Sequence, residues 1–109
     1  MRKVTEEMMS AIKGRRQWSG SDTTITVRVD DSLAVLLHTS LIAEVAADQK
    51  SARLTFDGWV NTITTNRLNV IARMFGYRIG RKKGEGVVTR PDGTTYTVGS
   101  MEWFVVGDN

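Results

Sequence analysis

A chain of 109 residues with 40% hydrophobic side chains has material for one modest core, and a domain of that size keeps much of its surface wet. It has no cysteine, which excludes disulfides, thiolate metal sites and cysteine nucleophiles together and suits a reducing compartment. The net charge is only +3, but it is segregated: residues 1–16 carry +3, residues 17–66 carry −3, residues 67–90 carry +6 and residues 91–109 carry −3. Such asymmetry points to an anionic partner for one surface.

The opening Met-Arg-Lys-Val-Thr-Glu-Glu has no apolar run and does not read as a secretory signal. Val4, Met8 and Ile12, with Ala11 beside them, predict an amphipathic helix of about three turns that ends at Gly14. Lys13, Arg15 and Arg16 then sit where the helix dipole favours cations. Gln17 to Asp22 reads as a polar loop holding Trp18. From Thr23 the period changes to two, and Ile25, Val27 and Val29 form the inward side of a strand. Asp30-Asp31-Ser32 is a turn. Leu33 to His38 and Leu41 to Ala47 read as two strands, with a helix for the second as the alternative because it is rich in alanine. The stretch from Leu33 to Ala47, broken by His38, Thr39, Ser40 and Glu44, is too short and polar to span a bilayer. A cytoplasmic protein without membrane contact is the expectation.

Ala52 to Phe56 alternates, with Leu54 and Phe56 inward. Thr64 or Thr65 is the expected N-cap of a second helix, and its stripe of Leu68, Ile71, Ala72 and Phe75 ends at Gly76. Tyr77 and Ile79 begin a further strand that runs into the Gly80–Gly86 segment. Val87 to Thr89, the turn Arg90-Pro91-Asp92-Gly93 and Thr95 to Val98 predict a hairpin. Met101 to Val106 is a last strand, and Gly107-Asp108-Asn109 is expected to fray. The order is roughly α-β-β-β-β-α-β-β-β over a single domain. An α+β fold follows, a mostly antiparallel sheet with two helices packed on one face.

No catalytic constellation appears, so a binding protein rather than an enzyme is expected. The single histidine, His38, has no cysteine or second histidine to form a metal site, and no cofactor motif of the phosphate-cradling glycine type precedes a helix. Asp30-Asp31 could hold a cation, though paired turn acids are more often structural.

Three features suit binding. Arg81-Lys82-Lys83, bracketed by Gly80 and Gly84, reads either as a basic tip that moulds to phosphates or as an ordinary solvated loop. The run from Trp59 to Arg67 leads into the second helix, and free N–H groups there suit an anion, with plain N-capping as the alternative. Trp18, Trp59, Tyr77 and Tyr96 lie near polar or basic segments and could stack bases, whereas Phe56, Phe75 and Phe104 fall on core stripes. The expected binding set is Arg67, Arg73, Arg78, Arg81, Lys82, Lys83 and Arg90 for phosphates, with Trp59 and Tyr77 for stacking.

At Gly58-Trp59, Thr62, Thr64-Thr65-x-Arg67-Leu68-Asn69 and Phe75-Gly76 the chain resembles a group of small phage-encoded proteins. Within that group it is similar to the single-stranded-DNA-binding RNA polymerase cofactors of podophages that carry a virion RNA polymerase. The resemblance implies a protein of the infected host's cytoplasm that holds melted promoters and recruits a phage or host RNA polymerase. Single-stranded DNA is the expected partner, in transcription or replication. The rival expectation is a host-takeover protein that inhibits an acidic host protein, such as a polymerase subunit or a defence nuclease. Self-association, which would add buried area to so small a domain, stays open.

Overall fold

The computed structural model describes residues 3–20 and 22–107. Helix α1 (Lys3–Lys13) opens the chain and buries Met8, Ala11 and Ile12; the side chain of Val4 lies outside the described residues. The helix stops at Gly14 as predicted, but the residue that takes the left-handed conformation there is Arg15 (φ 54°) and not the glycine. The Arg16 N–H then donates to the Ala11 carbonyl at 2.9 Å, and the Gln49 amide donates to the Ile12 carbonyl at 2.6 Å. The Ala11 carbonyl is thereby satisfied, and that of Ile12 accepts both the Gln49 amide and the Arg15 N–H.

Five strands follow: β1 (Trp18–Gly20), β2 (Thr23–Val27), β3 (Leu33–Leu37), β4 (Ser40–Val45) and β5 (Ser51–Leu54). Helix α2 (Thr62–Arg73) comes next, then β6 (Arg78–Lys82), β7 (Glu85–Thr89), β8 (Thr95–Val98) and β9 (Phe104–Gly107). The α+β class and the antiparallel pairing match the sequence reading, but the strands divide into two sheets. One runs β1-β2-β3-β4-β5-β9 and the other β6-β7-β8. Two features depart from the expectation: Trp18, read as loop, belongs to β1, and β9, the expected last strand, leaves its neighbours to pair with β5. Val29, read as inward, lies beyond the end of β2 and is fully exposed. Asp108 and Asn109, expected to fray, lie outside the described residues, whereas Gly107 completes β9.

Register explains the core. Ile25, Val35, Ala43, Leu54 and Phe104 lie opposite one another across five strands, and Val27, Leu33, Val45, Ala52 and Val106 form the next row. All but the partly buried Val27 are buried, so the period of two builds one continuous apolar face. A bulge in the β3–β4 pairing leaves Ile42 without an opposite residue, yet it is fully buried. Helix α2 presents Leu68, Ile71 and Ala72 to this core as predicted, while Phe75 lies past the helix end and is only half-buried. Gly76 (φ 83°) reverses the chain, and the Tyr77 N–H returns to the Ala72 carbonyl at 3.0 Å.

Gly86 joins the two sheets. A Cβ there would lie 2.3 Å from Cε1 of Phe56 and 2.9 Å from Cγ2 of Val98. Phe56 is fully buried and its ring sits 6.5 Å from that of Phe104 in the large sheet. Gly86→Ala therefore forces the phenyl ring out of its seat. We expect a loss of about 1–3 kcal/mol in urea melts, the range for an overpacked core; a change below about 0.5 kcal/mol would show that the two sheets are not closed by this contact.

Candidate functional site

With Gly86 and Val88 turned inward, their partners Arg81 and Ile79 share that side, and alternation sends Arg78, Gly80 and Lys82 outward. The outward face of the small sheet therefore carries Arg78, Gly80 and Lys82 on β6, Glu85, Val87 and Thr89 on β7, and Thr95 and Thr97 on β8. A Cβ at Gly80 would meet nothing within 4 Å, so backbone is open to solvent between the two cations. Of the two readings of this segment, the hairpin loop is the one that forms, as a two-residue reverse turn. Lys83 (φ 53°) and Gly84 (φ 79°) are both left-handed, the geometry that matches the twist of a tight hairpin. Arg81, on the inward side at the hairpin's end, donates through Nη2 to the Thr62 hydroxyl at 2.9 Å.

Arg15, Arg28 and Arg53 each form an ion pair. Among the described residues Arg73, Arg78, Arg81, Lys82, Lys83 and Arg90 form none, and all six are exposed. Among the described residues, exposed cations without an ion pair occur elsewhere too (Lys13, Arg16 and Lys50), so what marks this segment is the succession of such cations along one strand and its turn. Arg73 closes α2 and Arg78 opens β6, so the cations run from the helix end along the strand to the hairpin turn.

The remaining expected residues divide. Arg67 is partly buried, and its Nε donates to the Thr23 hydroxyl at 2.9 Å, tying α2 to β2. Burial lowers its pKa, opposed by the charge of Asp22. Arg90 stacks over Tyr96 at 4.3 Å from the ring centroid and donates to the Thr94 hydroxyl. Tyr77, Tyr96 and Trp18 pack against the core and offer no free face of the kind Trp59 does, which is 57% exposed.

Trp59 rims a cleft of about 340 Å³ between the β3–β4 turn and the start of α2. Leu37, His38, Thr39 and Ser40 form one side, and Asn61, Ile63 and Thr64 the other. His38, read as part of a strand, is a left-handed turn residue (φ 57°) and exposed. The N-cap is Asn61, not Thr64 or Thr65: its side chain accepts from the Thr64 N–H at 2.9 Å. Thr65 instead donates its hydroxyl to the Asn61 carbonyl. Leu68 enters the core and Asn69 accepts the Ile79 N–H at 2.9 Å, which anchors β6 to α2. Most of the Thr-Thr-x-Arg-Leu-Asn run thus builds the fold. Its exception is Thr64, fully buried, whose hydroxyl finds no hydrogen-bond partner among the described residues.

Sequence reasoning missed the outer face of the large sheet. Glu44 on β4 accepts from Arg28 at 2.8 Å and from Arg53, and Arg53 lies 4.8 Å from the ring centroid of the exposed Trp103. The opposite register positions of Glu44 and Arg53 were the available signal.

These features define a small α+β protein with an unpaired cationic strand beside a tryptophan-rimmed cleft. The chain belongs to the Kyanoviridae Gp96 protein family, whose match covers residues 1–108. It is therefore a bacteriophage protein, as the resemblance implied. No curated protein and no solved structure matches it. Among the described residues, no helix is long and apolar enough to cross a membrane.

The Glu44 clip gives a pH test. Hydrogen bonding to Arg53, then to Arg28, holds its carboxyl below the ordinary 4.5. A depressed folded-state pKa contributes stability that is present above the unfolded value and is lost as pH falls through the folded one. In urea melts, the wild type should lose this contribution on acidification below about pH 4.5, and Glu44→Gln should lack that component. Parallel pH profiles for the two proteins would count against the clip.

Proposed function

We propose that this phage protein binds single-stranded DNA and acts in viral transcription or replication. The observation that carries the reading is the succession of exposed cations that form no ion pair among the described residues, from Arg73 through β6 to Lys83, with Arg90 at the far turn. Concentrating like charge on one strand costs self-repulsion, and an anionic partner relieves it. A phosphate backbone laid along β6 would exchange condensed counterions for Arg78, Lys82 and Lys83. The open backbone at Gly80 allows close approach.

Single strand is favoured over duplex by what the helices do. Helix α2 is flanked in the chain by β5 and β6, so it lacks the partner helix one short turn away that presents the recognition helix of a helix-turn-helix to a major groove. The β6–β7 hairpin is backed by β8, unlike the free two-stranded ribbon that a groove admits. Trp59 is the exposed aromatic among the four considered for stacking. The similarity to podophage RNA polymerase cofactors makes melted promoter DNA the first substrate to try. The shared motif belongs to the wider phage-encoded group and consists mainly of α2 residues with structural roles, and no binding residue is carried over from the cofactors.

A second reading rests on the exposed apolar Trp59, Ile63 and Met101, which suit contact with an acidic host protein in a host-takeover role.

The test is fluorescence titration of single-stranded and duplex oligonucleotides over a series of salt concentrations. Replacing Arg78, Lys82 and Lys83 with Ala should weaken single-strand binding and flatten the log–log salt slope by about 0.7 per lost phosphate contact. Stability should move by no more than about 0.5 kcal/mol per substitution, since all three are exposed. An unchanged slope would remove β6 from the interface. Equal or tighter duplex binding at matched salt would overturn the single-strand reading, and no binding to either would leave the host-protein reading in its place.

A further inference from the structure

The cleft at the start of α2 has the chemistry of a site that no family resemblance assigns. Its walls are apolar and aromatic: Trp59 and Ile63 are 57% and 54% exposed at the rim, and Leu37 lies buried beside them. Its volume of about 340 Å³ falls in the range of small-ligand sites, and near its lower end. At one end stands the first turn of a twelve-residue helix, where the dipole and the early N–H groups favour negative charge. Asn61 satisfies only the N–H of Thr64 there, and Arg81 brings a guanidinium to the adjacent Thr62.

The second, independent observation is Thr64. It lines the cleft, it is 0% exposed, and among the described residues its hydroxyl has no hydrogen-bond partner; closed off from solvent in the empty cleft, it meets a ligand once the rim side chains part. A buried hydroxyl left unpaired costs stability, and valine fills the same volume without that cost. Its retention on the cleft floor makes sense if a ligand supplies the partner. A hydroxyl both donates and accepts, so it can meet the polar edge of any base.

We infer that this cleft seats one nucleotide, its base between Trp59 and Ile63 with an edge on the Thr64 hydroxyl and its phosphate at the first turn of α2 beside Arg81. The inference rests on the nucleic-acid reading above and adds the place where one unstacked base of the strand inserts. A planar ring joined to an anion is the ligand that uses both ends of the cleft. A bare anion leaves the indole idle, and an apolar ligand leaves the helix start idle.

The experiment titrates the full chain with thymidine 5′-monophosphate, thymidine and inorganic phosphate, following the Trp59 indole resonance, assigned through Trp59→Phe. The monophosphate should shift that resonance at lower concentration than thymidine, and inorganic phosphate should not shift it. Thr64→Val should hold or raise the melting temperature while weakening the monophosphate about tenfold, the loss of one hydrogen bond. Asn61→Asp retains a good N-cap but places negative charge where the phosphate would lie, and it should weaken binding by at least as much. If oligonucleotides bind with the expected salt slope while the monophosphate leaves Trp59 untouched and neither variant matters, the cleft proposal is overturned and the strand-binding reading stands. If the monophosphate binds as described but oligonucleotides do not, the cleft stands and the strand-binding reading fails.

Discussion

The seating of Phe56 against Gly86 is the contact on which the rest depends. The ring fills the space between the two sheets, and there is no room for a Cβ on the strand that receives it. That contact fixes which face of β7 is inward. Once Gly86 and Val88 are inward, the antiparallel register leaves no choice for β6: Ile79 and Arg81 share their side, and Arg78 and Lys82 point out. A slip of one residue would turn Ile79 to water and the cations toward Phe56. The placement of charge is thus a consequence of packing, and a single glycine sets it.

Helix α2 carries that geometry to the remainder of the molecule. Asn69 holds β6 through the Ile79 N–H, Arg67 reaches β2, and Thr62 receives Arg81. The cationic strand and the tryptophan-rimmed cleft therefore flank one rigid element, and a ligand spanning both would meet a preorganised surface. Preorganisation matters because ordering a loop on binding subtracts from affinity. The tight Lys83-Gly84 turn makes the same point locally, since the backbone that carries Lys82 and Lys83 is already held in place. The separate clip of Arg28, Glu44 and Arg53 shows the contrasting use of charge: on the large sheet's outer face, cations are neutralised by a shared carboxylate.

Much of this fold was legible where local pattern and long-range packing agree. The Leu68, Ile71 and Ala72 stripe, the alternation of Ile25 and Val27, and the Arg90-Pro91-Asp92-Gly93 turn all appear where periodicity and turn chemistry put them. What escaped was non-local. The pairing of β9 with β5 spans half the chain, and no periodicity reveals it. Trp18 joins a three-residue strand too short to show alternation. Asn61 displaced the threonines as N-cap because Thr64 is drawn into the interior, where its burial outweighs its capping preference. In the candidate site, charge segregation located the cationic segment from sequence alone. The division between exposed Trp59 and packed Tyr77 needed the fold, since each aromatic sits beside polar residues in the chain.

The central claim is that the outward face of β6 is where this protein meets the phosphates of a single strand. The most direct measurement is the map of backbone amide chemical-shift changes when a short single-stranded oligonucleotide is added at low salt. The account predicts that the changes run from Arg73 through Arg78, Gly80 and Lys82 to Lys83, extend to Trp59 and the first turn of α2, and fade as salt is raised. Changes confined to the outer face of the large sheet around Arg53 and Trp103, or none at any salt, would contradict it.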